Sequence, residues 1–409
     1  MDDRLAFLQK LSIKTDSKIV FIIIDGLGGI RTLEQPKTEL EAAKTPNLDA
    51  LAAKSICGRS LAAGYGITPG SGPGHLGIFG YDPLKPEFDI GRGILEVMGI
   101  DFPVKPDDLC ARGNFAVGNP DGTISDRRAG RLSTERCTEL CHKLQKAFQS
   151  ISEAEVIIKP VKDYRFALVI RGNTLSSEIA DTDPQRVGLK PLDPQPTVDR
   201  EEARRTAEIV KKILDVLYKS LEDEPDANTA LLRGFSKDPC LPKMKDIYKL
   251  TPAAIATYPL YRGVARLIGM EIYRPDGESI ADEFTLLKKI YKDHDYFFIH
   301  IKKTDSYGED GNREGKIKVI EETDKQIPHL LELNPDVVVI TGDHSTPPPL
   351  KSHSWHPIPL LLFSKYCDID DVKEFNERAC DHGGLGVIPA MEVMALAMAN
   401  AMKLKKYGA

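Results

Sequence analysis

Apolar residues fall along this chain in two textures. The first is the unbroken run: "SKIVFIIIDGLGG" closes a stretch of aliphatic side chains with an acid and glycines, as expected of a strand buried on both faces of a parallel sheet. "DYFFIHIKKTD" and "DVVVITGDHS" repeat that design, ending at Asp305 and at Asp343 with His344, and "PIPLLLF" is a fourth strand candidate. The second texture is helical. "GKIKVIEETDKQIPHLLEL" separates two of the runs, and "TPNLDALAAKS" predicts a helix with Thr45 as N-cap and Pro46 at its first position. Strands alternating with helices predict an α/β fold built on a mostly parallel sheet covered by helices on both faces.

Between about 105 and 237 the pattern changes. "YRFALVIRG" reads as a strand, "LKPLDPQPTVD" as a Pro-rich joint, and residues 199–221 as a long amphipathic helix. Acid-terminated strands lie on either side of this segment in sequence. The expected organisation is therefore a catalytic domain from 1–104 and 238–409, interrupted by a smaller α+β domain at 105–237.

Composition narrows the classes. With 409 residues and 41% hydrophobic content the chain can bury a large core. Its 61 acids against 55 bases give a net charge of −6, which disfavours a nucleic-acid partner. The longest apolar runs fall short of a membrane span and the first residues carry no signal-peptide core, so the expectation is a soluble, cytoplasmic protein without a membrane partner. Seven cysteines without a CxxC pair fit reduced thiols. Cys137 and Cys141 with His142 offer half of a zinc site, but no second half follows, and helical i, i+4 cysteines ordinarily share a buried face.

In open α/β sheets, ligands sit outside the carboxyl ends of the strands. Asp25, Asp305 and Asp343 with His344 would converge on that edge, where like charges repel unless cations neutralise them. Any one of these acids is as well explained by capping a turn. Together with Glu309, four residues past Asp305, and with the imidazoles of "KSHSWHPIP", His353 and His356, they suggest a two-metal centre. "GITPGSGPGHLGIFGYDP" sets Ser71 among glycines and prolines, with His75 four residues on. Pro69 stands where a G-x-S-x-G elbow needs glycine, and no Gly-Lys-Ser/Thr completes a phosphate-binding loop. A hydroxyl activated by paired cations suits attack on phosphorus.

Taken in order, "IIIDGLGG", "TPNLDALA", "TPGSGPGHLGIFGYDP", "GRGILEVMGI", "RGNFA", "DRRAGR", "TDSYGEDGN", "ITGDHSTP" and "SHSWHPIP" make the chain resemble the archaeal-type 2,3-bisphosphoglycerate-independent phosphoglycerate mutases of the alkaline phosphatase superfamily. The resemblance implies an alkaline phosphatase-like core, and exchange between 3-phosphoglycerate and 2-phosphoglycerate through a phosphoserine at Ser71, a step of glycolysis and gluconeogenesis. It implies one metal site from Asp25, Ser71, Asp343 and His344 and another from Asp305, Glu309 and His353. His75 would orient the serine loop or touch the phosphoryl group, with plain packing under the turn an equal alternative. Arg262 stands where relatives tend to carry Lys and keeps the catalytic cation. Arg112, Arg127, Arg128 and Arg131 would clamp the substrate as the interrupting domain closes and excludes water, unless they form only a solvated basic loop. His356 is read as structural.

Two further departures bear on chemistry. Gly72 replaces a residue often acidic in relatives, and Glu309 replaces a common His, which favours Mn²⁺ or Mg²⁺ over Zn²⁺. The expected cofactors are two divalent ions and no organic group; the partner is a small phosphoglycerate, with a homo-oligomer left open. The alternatives are a metal-dependent phosphomonoesterase or phosphotransferase acting on another small hydroxy-acid phosphate, and a metal- or phosphate-binding module without turnover.

Overall fold

The computed structural model describes residues 2–408. They divide into two compact units: one runs through Asp89 and resumes at Leu241, and the other is Ile90–Cys240. The chain lays down β1 (Ile19–Ile24) and β2 (Ile56–Leu61) in the first unit. The second unit contributes β3 (Leu109–Gly118), β4 (Ile124–Asp126), β5 (Glu155–Lys162), β6 (Arg165–Arg171) and β7 (Thr229–Ser236). The first unit then resumes with β8 (Pro252–Ala256), β9 (Glu271–Tyr273), β10 (Tyr296–Ile301), β11 (Val337–Thr341), β12 (Ile358–Ser364) and β13 (Gly386–Pro389).

The first unit's sheet has the order β13-β2-β12-β11-β1-β10-β8-β9. Its neighbours run parallel except where β12 meets β11 and β2. "PIPLLLF" is thus a strand that runs against its partners, a direction that an unbroken apolar run does not encode. In the centre, register sets Val20 beside Phe297 and Val338, and Ile22 beside Ile299 and Ile340. These residues share one face with Leu48 and Leu51 of the helix Pro46–Ala52, with Phe284 and Leu287 of Ile280–Ile290, and with Val319 and Ile320 of Arg313–Asp324. On the opposite face Phe298 meets Phe79 at 5.0 Å and His75 at 5.5 Å between ring centroids. Helical segments therefore cover both faces, which is why all six residues of β1 are buried. Ile22→Ala would leave a void there at a cost of about 2–5 kcal/mol.

Pro46 opens its helix, but the Thr45 hydroxyl makes no capping bond to the backbone. Asp324, at the end of the helix Arg313–Asp324, does that work from a distance, accepting from Asn47 N at 3.0 Å and Leu48 N at 2.8 Å. The long helical segment "GKIKVIEETDKQIPHLLEL" is two helices, broken before Ile327–Leu331, where Pro328 cannot supply a backbone N–H.

The second unit is an antiparallel sheet, β4-β3-β6-β5 with β7 on the other side of β3. The helices Thr134–Ala147 and Glu201–Leu221 bring Leu140, Leu144, Val210, Ile213 and Leu217 onto Phe166 and Leu168. The helix Arg92–Gly99 belongs to this unit: a Cβ on Gly93 would sit 2.3 Å from Cys110 O of β3, so helix and strand meet backbone to backbone. Cys137 and Cys141 lie in the core of this unit and His142 is exposed, which leaves the sulfurs as packing groups. Among the described residues, no helix is long and apolar enough to cross a membrane.

Candidate metal centre

Ser71 is the first residue of a helix, Ser71–Ile78, with Gly70 as N-cap. Glycine at every second or third position opposes a helix in isolation, and tertiary contact explains it. A Cβ on Gly74 would stand 2.3 Å from Asp343 O, and one on Gly77 would stand 2.8 Å from Ala62 O. The helix therefore packs backbone to backbone against the loop leaving β11. That approach sets Ser71 Oγ 3.4 Å from His344 Nε2.

β1, β10 and β11 are parallel neighbours, so the segments that follow them leave the sheet on one edge. Asp25 and Asp343 come directly from such ends, whereas Asp305 lies in the first turn of a short helix, Lys303–Glu309. Among the described residues two groups could each hold a cation: Asp25, Asp343 and His344, and Asp305, His344 and His353, with the donor atoms in each within 4.8 Å of one another. His344 belongs to both, unlike the partition expected from sequence. Its Nε2 is 3.3 Å from Asp25 Oδ1 and 3.2 Å from Asp343 Oδ2, while His353 Nε2 is 3.4 Å from Asp305 Oδ1.

Hydrogen bonds at the far ring nitrogens fix the tautomers. Thr346 Oγ1 donates to Asp305 Oδ1 at 2.7 Å, so toward His344 Nδ1, 3.0 Å away, it acts as acceptor. His353 Nδ1 faces the carbonyl of Pro69 at 3.0 Å and must donate. When neutral, each ring then carries its lone pair on Nε2, facing the acids, which is the arrangement metal-binding imidazoles need. Both oxygens of Asp25, together with Asp343 Oδ2, are buried without a hydrogen bond, although Lys302 Nζ stands 3.0 Å from Asp25 Oδ2. Unsatisfied buried carboxylate oxygens beside imidazole lone pairs fit a divalent cation.

The charges are strongly coupled. Burial pushes Asp25 toward its neutral form, yet the Lys302 ammonium and His300 outweigh it and hold the carboxyl well below its usual range. Asp305 is lowered likewise against burial and against the charge of Asp25, by His353 and Lys302. Burial pulls His353 down, but contact with Asp305 wins and pushes it up to about 9. His344 is lowered, chiefly by burial.

The other candidate residues divide. His75 is fully buried, with Nδ1 2.8 Å from Ser71 O and 3.2 Å from Asp343 Oδ2, and its ring is packed among Phe79, Tyr261, Phe298 and His300. Glu309 is half exposed, 3.9 Å from His353 Nε2, and belongs to neither group. Arg262 follows Tyr261, which stacks on His300 at 3.6 Å, and donates Nη1 to Thr257 O at 2.7 Å. His356 faces Ser354 Oγ at 3.0 Å, apart from both groups.

In the second unit Arg112 is buried on β3 beside Glu96, with Nε 3.5 Å from Oε1, and stands directly across from Arg233 of β7. Arg92 and Arg112 are pulled down by burial, with Arg233 adding repulsion to each. Asp183 links the group to Arg127 through a two-pronged contact, Nε to Oδ1 at 3.0 Å and Nη2 to Oδ2 at 2.6 Å, and lies 3.6 Å from Arg233. Arg128 and Arg131 are exposed instead. The sequence reading missed Arg92, Arg233 and Glu96, and around the acids it missed Lys302, His300 and Thr346. Arg92 lies in "GRGILEVMGI" and Lys302 in "HIKKTD", so only tertiary neighbours were lacking.

Comparison with known proteins fits this geometry. The family model for 2,3-bisphosphoglycerate-independent phosphoglycerate mutase matches residues 52–226. An Aquifex aeolicus protein named as a probable 2,3-bisphosphoglycerate-independent phosphoglycerate mutase is 49% identical over 98% of this chain and 99% of its own. The chain belongs to this family. A Thermus thermophilus protein of the same name is 46% identical over the full length of both chains. Among solved structures, a Pyrococcus horikoshii protein superposes with a TM-score of 0.82 at 29% identity, covering 96% of this chain and 99% of its own. The cofactor-independent phosphoglycerate mutase of Thermoplasma acidophilum gives 0.68 at 30% identity over 94% of this chain and 100% of its own. The mutase family thus includes a chain in which a serine helix meets a cage of acids and imidazoles.

Proposed function

We propose that this chain interconverts 3-phosphoglycerate and 2-phosphoglycerate without 2,3-bisphosphoglycerate, as an intramolecular phosphotransferase that passes the phosphoryl group through Ser71. The observation that carries the reading is the serine hydroxyl at a helix start, 3.4 Å from the imidazole common to both candidate metal groups. Asp25, Asp343 and His344 would hold one divalent ion, and Asp305 and His353 the other, with Glu309 at the rim; the single Nε2 lone pair of His344 serves one ion at a time. When bound, such ions lower the pKa of a coordinated hydroxyl and spread charge on a transferring phosphoryl group. The three carboxylates of the two groups favour Mn²⁺ or Mg²⁺.

The protein's own groups supply the rest. In the first half-reaction a Ser71 O–P bond forms and the ester O–P bond to the 3-oxygen breaks; the serine proton is balanced by the one the released 3-hydroxyl gains. In the second, the 2-hydroxyl attacks, the serine O–P bond breaks and Ser71 recovers its proton. A phosphoserine at the first helical position stands at the positive end of the helix dipole. His75 holds the Ser71 carbonyl and Asp343 in place. Arg262 supplies a cation for the phosphoryl group. Arg112, with the neighbouring Arg92 and Arg233, is the proposed carboxylate-recognition cluster, because burial and mutual repulsion act on guanidinium groups held this close, and a carboxylate would relieve both.

The test is a mutase assay on 3-phosphoglycerate with Mn²⁺ and no 2,3-bisphosphoglycerate, comparing the parent with Ser71→Ala. The parent should form 2-phosphoglycerate and the variant should lose essentially all turnover. Isomerisation retained by the variant would rule out the covalent route. Free phosphate in place of 2-phosphoglycerate would favour a phosphomonoesterase.

A further inference from the structure

Lys316 lies on the helix Arg313–Asp324, is fully buried, and none of the chemistry above uses it. Its Nζ donates to Gly26 O at 2.8 Å, Gly28 O at 3.1 Å and Thr346 O at 3.0 Å. An ammonium has three N–H bonds and no acceptor, so three carbonyls saturate it. Glu39 Oε2, also buried, lies 3.8 Å away, beyond hydrogen-bond reach.

Those carbonyls come from two loops. Gly26 and Gly28 follow Asp25 at the end of β1, and Thr346 follows Asp343 and His344 at the end of β11. The loops already touch, with Thr346 N reaching Gly28 O at 3.1 Å and Leu27 bridging to Ser345. Both tethered residues reach the cage directly. Gly26 N donates to Asp343 Oδ1 at 3.1 Å, and the Thr346 hydroxyl contacts Asp305 and His344. One ammonium is therefore a single residue removed from members of both candidate metal groups. A cation that only satisfied a core would have no reason to choose carbonyls from these two loops.

We infer that Lys316 is a positioning residue for the metal cage: by tying the Asp25 loop to the Asp343–His344 loop, its ammonium sets the spacing at which the acids and imidazoles meet a divalent ion. The inference rests on the metal reading above. A second lysine provides the control, because Lys403 is also fully buried and donates to Thr15 O at 2.8 Å and toward Asp295 Oδ2 at 3.3 Å. Asp295 precedes β10, so Lys403 works at the opposite edge of the sheet from the cage.

The experiment is a calorimetric titration of metal-stripped protein with Mn²⁺, for the parent, Lys316→Met and Lys403→Met, at a temperature where all three are folded by circular dichroism. Both substitutions should lower the melting temperature. Only Lys316→Met should weaken Mn²⁺ binding, by at least about tenfold, with Lys403→Met within about twofold of the parent. Should Lys316→Met fail to fold, Lys316→Gln, which keeps two N–H donors, should show the same loss in milder form. Parental affinity in a folded Lys316 variant, or equal weakening in Lys403→Met, would overturn the inference while leaving the metal reading intact. A parent that binds no Mn²⁺ would overturn both.

Discussion

The imidazoles of His344 and His353 stack with 3.6 Å between centroids and 23° between planes. The pair joins the two acidic groups, since His344 Nε2 meets Asp25 and Asp343 while His353 Nε2 meets Asp305. The two imidazoles should therefore serve different ions. His353→Ala should weaken the ion beside Asp305, and His344→Ala, whose single Nε2 lone pair faces Asp25 and Asp343, should weaken the other, so each variant should keep one strong Mn²⁺ equivalent of the parent's two. Equilibrium dialysis with elemental analysis measures this. Loss of both equivalents in either variant would contradict the division.

Gly74 permits the close approach of the serine helix to the β11 loop. Gly74→Ala places a methyl 2.3 Å from Asp343 O, and the clash should cost about 1–3 kcal/mol and shift Asp343 relative to Ser71. Turnover is expected to fall by about 100-fold, in keeping with an ångström-scale misplacement of reacting groups. Gly70→Ala, whose added methyl would meet only Pro73 Cδ at 3.8 Å, should lose little of either. Thermal melts and steady-state assays on the two variants check the contrast.

Arg127 and Asp183 give the second unit a pH-dependent tie. Burial raises Asp183, but the hydrogen bond from Arg127, the Gln185 N–H and the charges of Arg127 and Arg233 outweigh it and lower the carboxyl. A depressed carboxyl stabilises the fold above its unfolded value of about 3.9 and loses that contribution as pH falls through the folded value. Asp183→Asn should thus cost about 1.5–3 kcal/mol at neutral pH and much less in acid. Urea unfolding at neutral pH and at the acid end resolves the two; a cost independent of pH would show that the pair's charge contributes nothing.

The arginines of the second unit should separate by burial. Arg112→Met removes a buried guanidinium beside Glu96 and should raise KM for 3-phosphoglycerate by about 10- to 100-fold, the range of a lost charged hydrogen-bonding pair. Arg128→Ala and Arg131→Ala, both exposed, should change KM by less than about threefold. Steady-state kinetics on the three variants decides whether recognition follows the buried cluster or the "DRRAGR" loop.

Sequence showed the cage more clearly than its supports. Asp25, Asp305, Asp343 and His344 were visible because each follows an apolar run, and strand ends in a parallel sheet share an edge. Ser71 read as part of a turn because glycine and proline predict turns; its helix exists through contacts, such as Gly74 against Asp343 O, that local propensity cannot foresee. The antiparallel course of β12 was hidden for a similar reason, since a strand buried on both faces looks the same in either direction. Thr346, His300 and Lys316 carry no local signal, because a hydroxyl or ammonium gains its role only when remote carbonyls and acids arrive beside it. The meeting of Arg112 with Arg233 depends on the register of β3 against β7, which no spacing along the chain encodes.

The order of strands has a consequence for synthesis. β1 lies between β10 and β11 in the sheet, although the whole second unit intervenes in sequence. A nascent chain carrying Asp25 and Ser71 must wait for Asp305, Asp343 and His353 to emerge before any of them gains a metal-binding neighbour from the far half. Contacts of such long range close slowly. A fragment ending before β10 has both the nucleophile and the first acid, yet it has nowhere to put a cation.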